Sequence, residues 1–173
     1  TGYIAQHVCL QLLEAGYRVR GTVRSLESEK TRYLVGPDLF GPYHDQFEAV
    51  QANLDSAEGW SDAARGCRFV CHVAAPVPKG AGYLNDFSMV DTTVRGVEHV
   101  LTACAGQAQR VVMTSSIAAI SMPNGSRHDP FDSSAPPLTE ADWTSLDAPR
   151  EIIGAYATAK TAAERKAWDI VAT

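Results

Sequence analysis

Apolar positions along the chain switch between a helical and a strand period, and the switching predicts alternating helices and strands. Ile4, Val8, Leu12 and Leu13 form one helical stripe over residues 4–14, which stops at Gly16. Residues 17–23 alternate and are rich in β-formers, so they predict a strand. Residues 25–34 predict a short polar helix, and 36–45 a loop marked by two Gly-Pro pairs. A strand is expected over 47–52. A helix is expected over 56–65, with Ser56 as N-cap and Gly66 as stop. The apolar runs 69–74 and 110–114 predict strands buried on both faces. Residues 86–105 predict a long helix, 121–150 a proline-rich surface loop, and 156–171 a last helix. This order predicts an α/β fold with a parallel sheet covered by helices on both sides. No internal repeat or second complete domain is visible.

The 173 residues are enough for one domain with a core. The net charge of −5 comes without a basic stripe, so nucleic acid is not an expected partner. The apolar stretch 69–77 is interrupted by His72 and Pro76 and is too short to cross a bilayer, so no membrane association is expected. Cys9, Cys67, Cys71 and Cys104 are irregularly spaced, and the Cys67–Cys71 pair has no second pair to complete a zinc site. They read as reduced thiols of a cytoplasmic protein, with no metal required. The oligomeric state is open.

The chemistry concentrates late in the chain. Tyr156 and Lys160 lie four residues apart and share one face of a helix. A neighbouring ammonium stabilises a phenolate, which makes the phenol a usable proton donor. Ser115 and Ser116 follow a predicted strand, where a hydroxyl can hold a carbonyl oxygen. Each feature alone has an ordinary reading: a serine turn, a helix-terminal aromatic, a surface lysine. Together they complete three roles of one carbonyl reduction. His72 also invites an acid–base role, but the strand pattern favours a core histidine satisfied by backbone.

At the start, Thr1-Gly2-Tyr3-Ile4 fits the last turn of a glycine-rich element that sets a pyrophosphate against a helix N-terminus. Gly2 would be its third glycine, the one that lets helix and strand approach closely. The strand and the two glycines expected before it are not in the sequence, and no strand follows Lys160. Both ends are therefore expected to be interruptions of a larger domain, and these residues alone to be inactive. Arg24 ends the second predicted element, where an acid would accept adenosine ribose hydroxyls. Residues 18–26 hold Arg18, Arg20 and Arg24 but no acid. Arg24 could pair a 2′-phosphate through its planar fork, with Ser25 assisting and Lys30 adding charge. A solvated side chain is the competing reading for both cations.

With these residues assembled, the chain resembles the extended short-chain dehydrogenase/reductase superfamily. The nearest branch is the dihydroflavonol-reductase-like group, which includes fungal ketone and aldehyde reductases. The stretches that carry the resemblance are TGYIAQHVCLQLLEAGYRVRGTVRS, NLDSAEGWSDAARGCRFVCHVAAP, VDTTVRGVEHVLTAC, RVVMTSSIAAI, EADW and YATAKTAAERKAW. They occur in the family's order and cover most of the chain, the largest stretches outside them being the 33–47 insertion with its flanks and the proline-rich loop. The family has Asp-Leu where this chain has Asn53-Leu54.

The resemblance implies a Rossmann-like doubly wound parallel sheet, here lacking its first strand and the C-terminal substrate-binding part. Residues 1–173 would then be a partial NAD(P)-binding domain. It implies NADPH-dependent reduction of a small-molecule ketone or aldehyde. Ser116 would position the oxygen, Ser115 support the turn, Tyr156 donate the proton and Lys160 bind the nicotinamide ribose. Along the cofactor it implies Gly2, Tyr3, Ile4, Arg24 and Lys30. Asn53 and Leu54 would flank the adenine, and Ala74, Ala75, Pro76 and Thr114 the nicotinamide side. Thr93 and Val94 would pack near the cofactor or simply in the helix core, and Asp142 and Trp143 would fold the long loop. Two other readings stay open. One is an epimerase, dehydratase or hydroxysteroid dehydrogenase on the same scaffold, and the other a non-catalytic dinucleotide-binding protein.

Overall fold

The computed structural model describes residues 1–77, 85–122, 134 and 136–172. The element order is α1 (Tyr3–Glu14), β1 (Val19–Val23), α2 (Glu29–Val35), α3 (Pro37–Phe40), a 3₁₀ turn (Gly41–Gln46), β2 (Phe47–Gln51), α4 (Trp60–Ala64), β3 (Phe69–His72), α5 (Ser88–Cys104), β4 (Arg110–Met113), α6 (Ala118–Ser121) and α7 (Arg150–Ala172). The chain divides into two compact units: Thr1–Ala74 with Thr102–Met113, and Ala75–Leu101 with Thr114–Thr173.

The first unit is an α/β structure built on two parallel strand pairs. β1 pairs with β2 from Val19 opposite Phe47 to Val23 opposite Gln51. β3 pairs with β4 from Phe69 opposite Arg110 to His72 opposite Met113. Parallel neighbours need a crossover between them, and α2 with α3, and α5, are those crossovers. The core beneath β1–β2 is Leu13, Val23, Leu34, Phe40 and Phe47, with the Phe40 and Phe47 rings 4.8 Å apart. Leu13 belongs to the sequence stripe that predicts α1, and it is fully buried.

Four expectations need correction. The loop expected at 36–45 is helical: Pro37 starts α3, where its missing N–H costs nothing. The helix expected from Ser56 starts at Trp60. The Ser56 hydroxyl instead accepts from the Glu58 N–H at 3.1 Å, closing a local turn. Gly59 is the residue before α4, at φ 82°, and a Cβ there would stand 2.3 Å from the Gln51 carbonyl oxygen. The strands expected to be buried on both faces are half exposed, with Phe69 45% and Val112 56% accessible. Each has one strand partner among the described residues. Burial on both faces needs covering layers that an apolar run does not itself supply. Finally, α6 ends at Ser121, where the expected 121–150 loop begins, and α7 begins at Arg150 rather than Tyr156. Residues 123–133 and 135 of that loop lie outside the described residues.

Arg20 ties β1 to α4. Its Nε donates to Glu48 Oε2 at 3.0 Å, and its Nη1 donates toward the carbonyls of Asp62, Ala63 and Arg65 at 3.2, 3.3 and 2.8 Å. These carbonyls are the unpaired end of a short helix, where a cation is favoured. The hydrogen bond to Glu48 raises the guanidinium's pKa further. Arg20→Ala should cost about 1–3 kcal/mol in urea unfolding, the scale of charge-assisted hydrogen bonds. Glu48→Gln should cost less, because the carbonyl contacts survive. An unchanged midpoint for Arg20→Ala would contradict this cap.

The second unit is helical. Asp86 opens α5 by accepting from the Ser88 N–H at 3.2 Å. Met89 packs with Ala155 and Ala159 of α7, and Phe87, Val90 and Tyr156 border that cluster. Lys166 and Glu98 join α7 and α5 at 3.3 Å. Thr144, fully buried, pins the segment before α7 to α6. Its Oγ1 donates to the Ala118 carbonyl at 2.7 Å and accepts from the Met122 N–H at 3.1 Å. Its own N–H donates to the Ala119 carbonyl at 2.7 Å.

Candidate functional site

α7 is not one continuous helix. Gly154 has φ 76° and ψ 159°, a backbone state open essentially to glycine alone. The helix restarts after it, and this places Tyr156 in the first turn of the new segment. The Tyr156 ring packs half-buried against Met89, Ala155 and Ala159. One turn on, Lys160 is 9% exposed and its Nζ donates to the Thr114 carbonyl at 3.0 Å. A buried ammonium must be compensated, and the strand-end carbonyl does this. That bond uses one of three N–H donors and leaves two for a ligand's hydroxyls.

Ser116 lies two residues beyond Thr114. Its Oγ accepts from the Ala118 N–H at 3.2 Å, and its carbonyl accepts from the Ala119 N–H at 3.0 Å. With its oxygen taken as acceptor, the hydroxyl still has a proton to donate. Ser115 Oγ donates to Glu164 Oε2. The structure therefore brings the Thr114–Ser116 segment onto α7 through Lys160 and Glu164. Sequence reasoning missed Glu164 and Gly154. The signal for Glu164 was available, because it repeats the four-residue spacing of Tyr156 and Lys160.

The remaining candidates divide between the units. Arg24 and Lys30 are exposed in the first unit, near the start of α1. Arg24 forms no ion pair among the described residues, whereas Arg20 is committed to Glu48 and α4. The Ser25 carbonyl accepts from the Thr31 hydroxyl at 2.7 Å, and the Ser28 hydroxyl caps α2, so the segment between Arg24 and Lys30 is tied down. The N-terminus of α1 has no side-chain cap and no acid in its first turn. Its N–H groups and positive dipole end suit an anion. Tyr3 and Ile4 are largely exposed there, with Tyr3 edge-on to His7. A Cβ at Gly2 would meet nothing within 4 Å; the strand expected to approach it is not in the sequence.

Asn53 Oδ1 accepts from the Asp55 N–H at 3.3 Å, closing its own turn, and Leu54 beside it is half-buried. Ala74 is exposed, and Ala75 and Pro76 are half-buried in the segment after β3. His72 is buried in β3 at 8% exposure. Thr93 is a core residue whose hydroxyl donates to the Met89 carbonyl at 2.6 Å. Asp142 closes its own turn with Thr139, and Trp143 is covered by Arg165 of α7 at 5.2 Å. Burial pushes the Cys9 and Cys104 thiols up, which keeps them protonated. No described helix is long and apolar enough to cross a membrane.

The whole chain, residues 1–173, matches the NAD dependent epimerase/dehydratase family, whose description makes a nicotinamide dinucleotide its cofactor. It is 34% identical over 171 residues to cinnamoyl-CoA reductase 2 of Medicago truncatula, covering 98% of this chain and 46% of that protein. It is 32% identical over 174 residues to tetraketide alpha-pyrone reductase 2 of Arabidopsis thaliana, covering 98% and 51%. The crystal structure of vestitone reductase from alfalfa (Medicago sativa L.) superposes with a TM-score of 0.73 at 27% identity, covering 98% of this chain and 49% of that one. This likeness bears out the Rossmann-like reading of the fold. The chain spans about half the length of the curated relatives it matches.

Proposed function

As the chain belongs to the NAD dependent epimerase/dehydratase family, we propose that the whole protein carrying it is an NADPH-dependent reductase of ketones or aldehydes. The observation that carries this reading is the α7 arrangement. Lys160 is buried against the Thr114 carbonyl, Tyr156 lies one turn before it, and Ser116 stands two residues past Thr114. The chain's similarity to proteins named as reductases supports it.

The residues present fit a dinucleotide. Within the first unit, α1 offers an N-terminus without a side-chain cap at Gly2, Tyr3 and Ile4, which suits a phosphate; within the second, taken by itself, Lys160 keeps two donors for ribose hydroxyls. When bound, the cofactor supplies hydride to the carbonyl carbon. The chain's own residues do the rest. The Ser116 hydroxyl donates to the carbonyl oxygen and holds it. Tyr156 gives that oxygen its proton, and the Lys160 ammonium stabilises the charge left on the phenol oxygen. Arg24, exposed and without an ion pair among the described residues, is the group that selects NADPH through its 2′-phosphate.

Arg24→Ala should weaken NADPH binding by about 1.5–3 kcal/mol, the value of a charge-assisted contact, and leave NADH binding nearly unchanged. Titration with both cofactors checks this, and equal losses would remove the assignment to NADP. A second reading, a sugar-nucleotide epimerase or dehydratase, is favoured by the family's description. The two are separated by assaying the whole protein with carbonyl compounds and with sugar nucleotides. A reductase consumes NADPH in step with product. An epimerase or dehydratase turns over without net consumption.

A further inference from the structure

The α7 face that carries Tyr156 and Lys160 continues at the same spacing through Glu164 and Trp168. Both carboxylate oxygens of Glu164 are engaged. Oε2 accepts from the Ser115 hydroxyl, and Oε1 accepts from Trp168 Nε1 at 3.4 Å. One turn earlier, Lys160 holds the Thr114 carbonyl at 3.0 Å. Two consecutive residues leaving β4 are thus gripped by two consecutive turns of α7. The next residue is Ser116, whose hydroxyl oxygen is itself held by the Ala118 N–H. Its place is therefore set by the turn it opens and by the two residues before it. Of those two, Thr114 is held through its backbone and Ser115 through its side chain.

We propose that Glu164 is a positioning residue: by fixing Ser115 it sets where the Ser116 hydroxyl meets the carbonyl oxygen. The inference rests on the reductase reading of Ser116 and Tyr156. It makes a chemical demand on residue 164. A carboxylate or an amide oxygen can accept from Ser115, and a methyl group cannot.

The test uses the whole protein and compares Glu164→Ala, Glu164→Gln, Ser115→Ala and the Glu164→Ala/Ser115→Ala double variant, with rates normalised to bound NADPH. Glu164→Ala should lower kcat for carbonyl reduction by about 10-fold, the scale of a slightly misplaced oxygen-binding group. The KM for NADPH should stay close to that of the unaltered protein, and Glu164→Gln should restore most of the rate. The double variant should be no worse than either single, because both remove one hydrogen bond. A merely structural role would lower the amount of cofactor-binding protein and leave kcat per bound cofactor unchanged, and that result overturns the proposal. Additive losses in the double variant also overturn it. If Glu164→Ala fails to fold, Ser115→Ala decides, since it removes the same bond from the other side. A matching drop in kcat supports the proposal, and an unchanged kcat overturns it. Tyr156→Phe is measured beside these. Full turnover there removes Tyr156 as the acid, and with it the reading of the site on which this inference rests. A dead Tyr156→Phe with a fully active Glu164→Ala removes only this inference.

Discussion

Replacing Tyr156 by phenylalanine should slow carbonyl reduction by the whole protein by about 10²-fold or more, the scale of general acid–base catalysis. The substitution isolates the hydroxyl. The ring packs half-buried beside Met89, Ala155 and Ala159, and phenylalanine keeps those contacts. Lys160 is held independently by the Thr114 carbonyl, so cofactor affinity should be nearly unchanged. Single-turnover rates with prebound NADPH separate the chemical step from binding. Wild-type rates in Tyr156→Phe would show that the acid lies elsewhere.

The second large effect is expected at Gly154. In an ordinary helix interior, glycine to alanine stabilises by roughly 0.5–1 kcal/mol. Gly154 is not in helical conformation: φ is 76° and ψ is 159°. A side chain there meets strain on the order of 1–3 kcal/mol, so the sign should reverse and Gly154→Ala should destabilise. The Gly154 carbonyl accepts from the Thr158 hydroxyl at 2.9 Å, so straightening the chain also disturbs the first turn of the new segment, which carries Tyr156. Turnover should therefore fall together with the thermal midpoint. A more stable Gly154→Ala protein would mean that the helix is continuous.

Periodicity located α1, β1, β2 and α5, although of the four stripe positions of α1 only Leu13 is buried and Ile4 is exposed. The Leu13 stripe and the alternation that brings Val19 and Val23 to the core are visible without knowing any partner. What depends on distant chain was not legible. The residue before α4 is Gly59 where the Gln51 carbonyl stands in the place of a side chain, a relation across eight residues that no local pattern encodes. The apolar composition of β3 and β4 predicts strands, but their exposure depends on which neighbours cover them. Arg20 and Arg24 look alike in sequence. Only the placement of Glu48 and α4 shows that the first is structural. At the candidate site, the order of Ser116, Tyr156 and Lys160 was readable because helical spacing brings the last two to one face. The backbone break before them was not, because an isolated glycine in a helical pattern has no single meaning.

The most direct test of the central claim follows a label. The whole protein is given NADPH carrying deuterium at the transferable position of its nicotinamide ring, together with a panel of ketones and aldehydes, and the products are read by mass spectrometry. The account predicts an alcohol with one deuterium on the former carbonyl carbon, formed in equal amount to the NADPH consumed, and its loss in Tyr156→Phe. Product formed without net loss of NADPH, or an alcohol without the label, would contradict it.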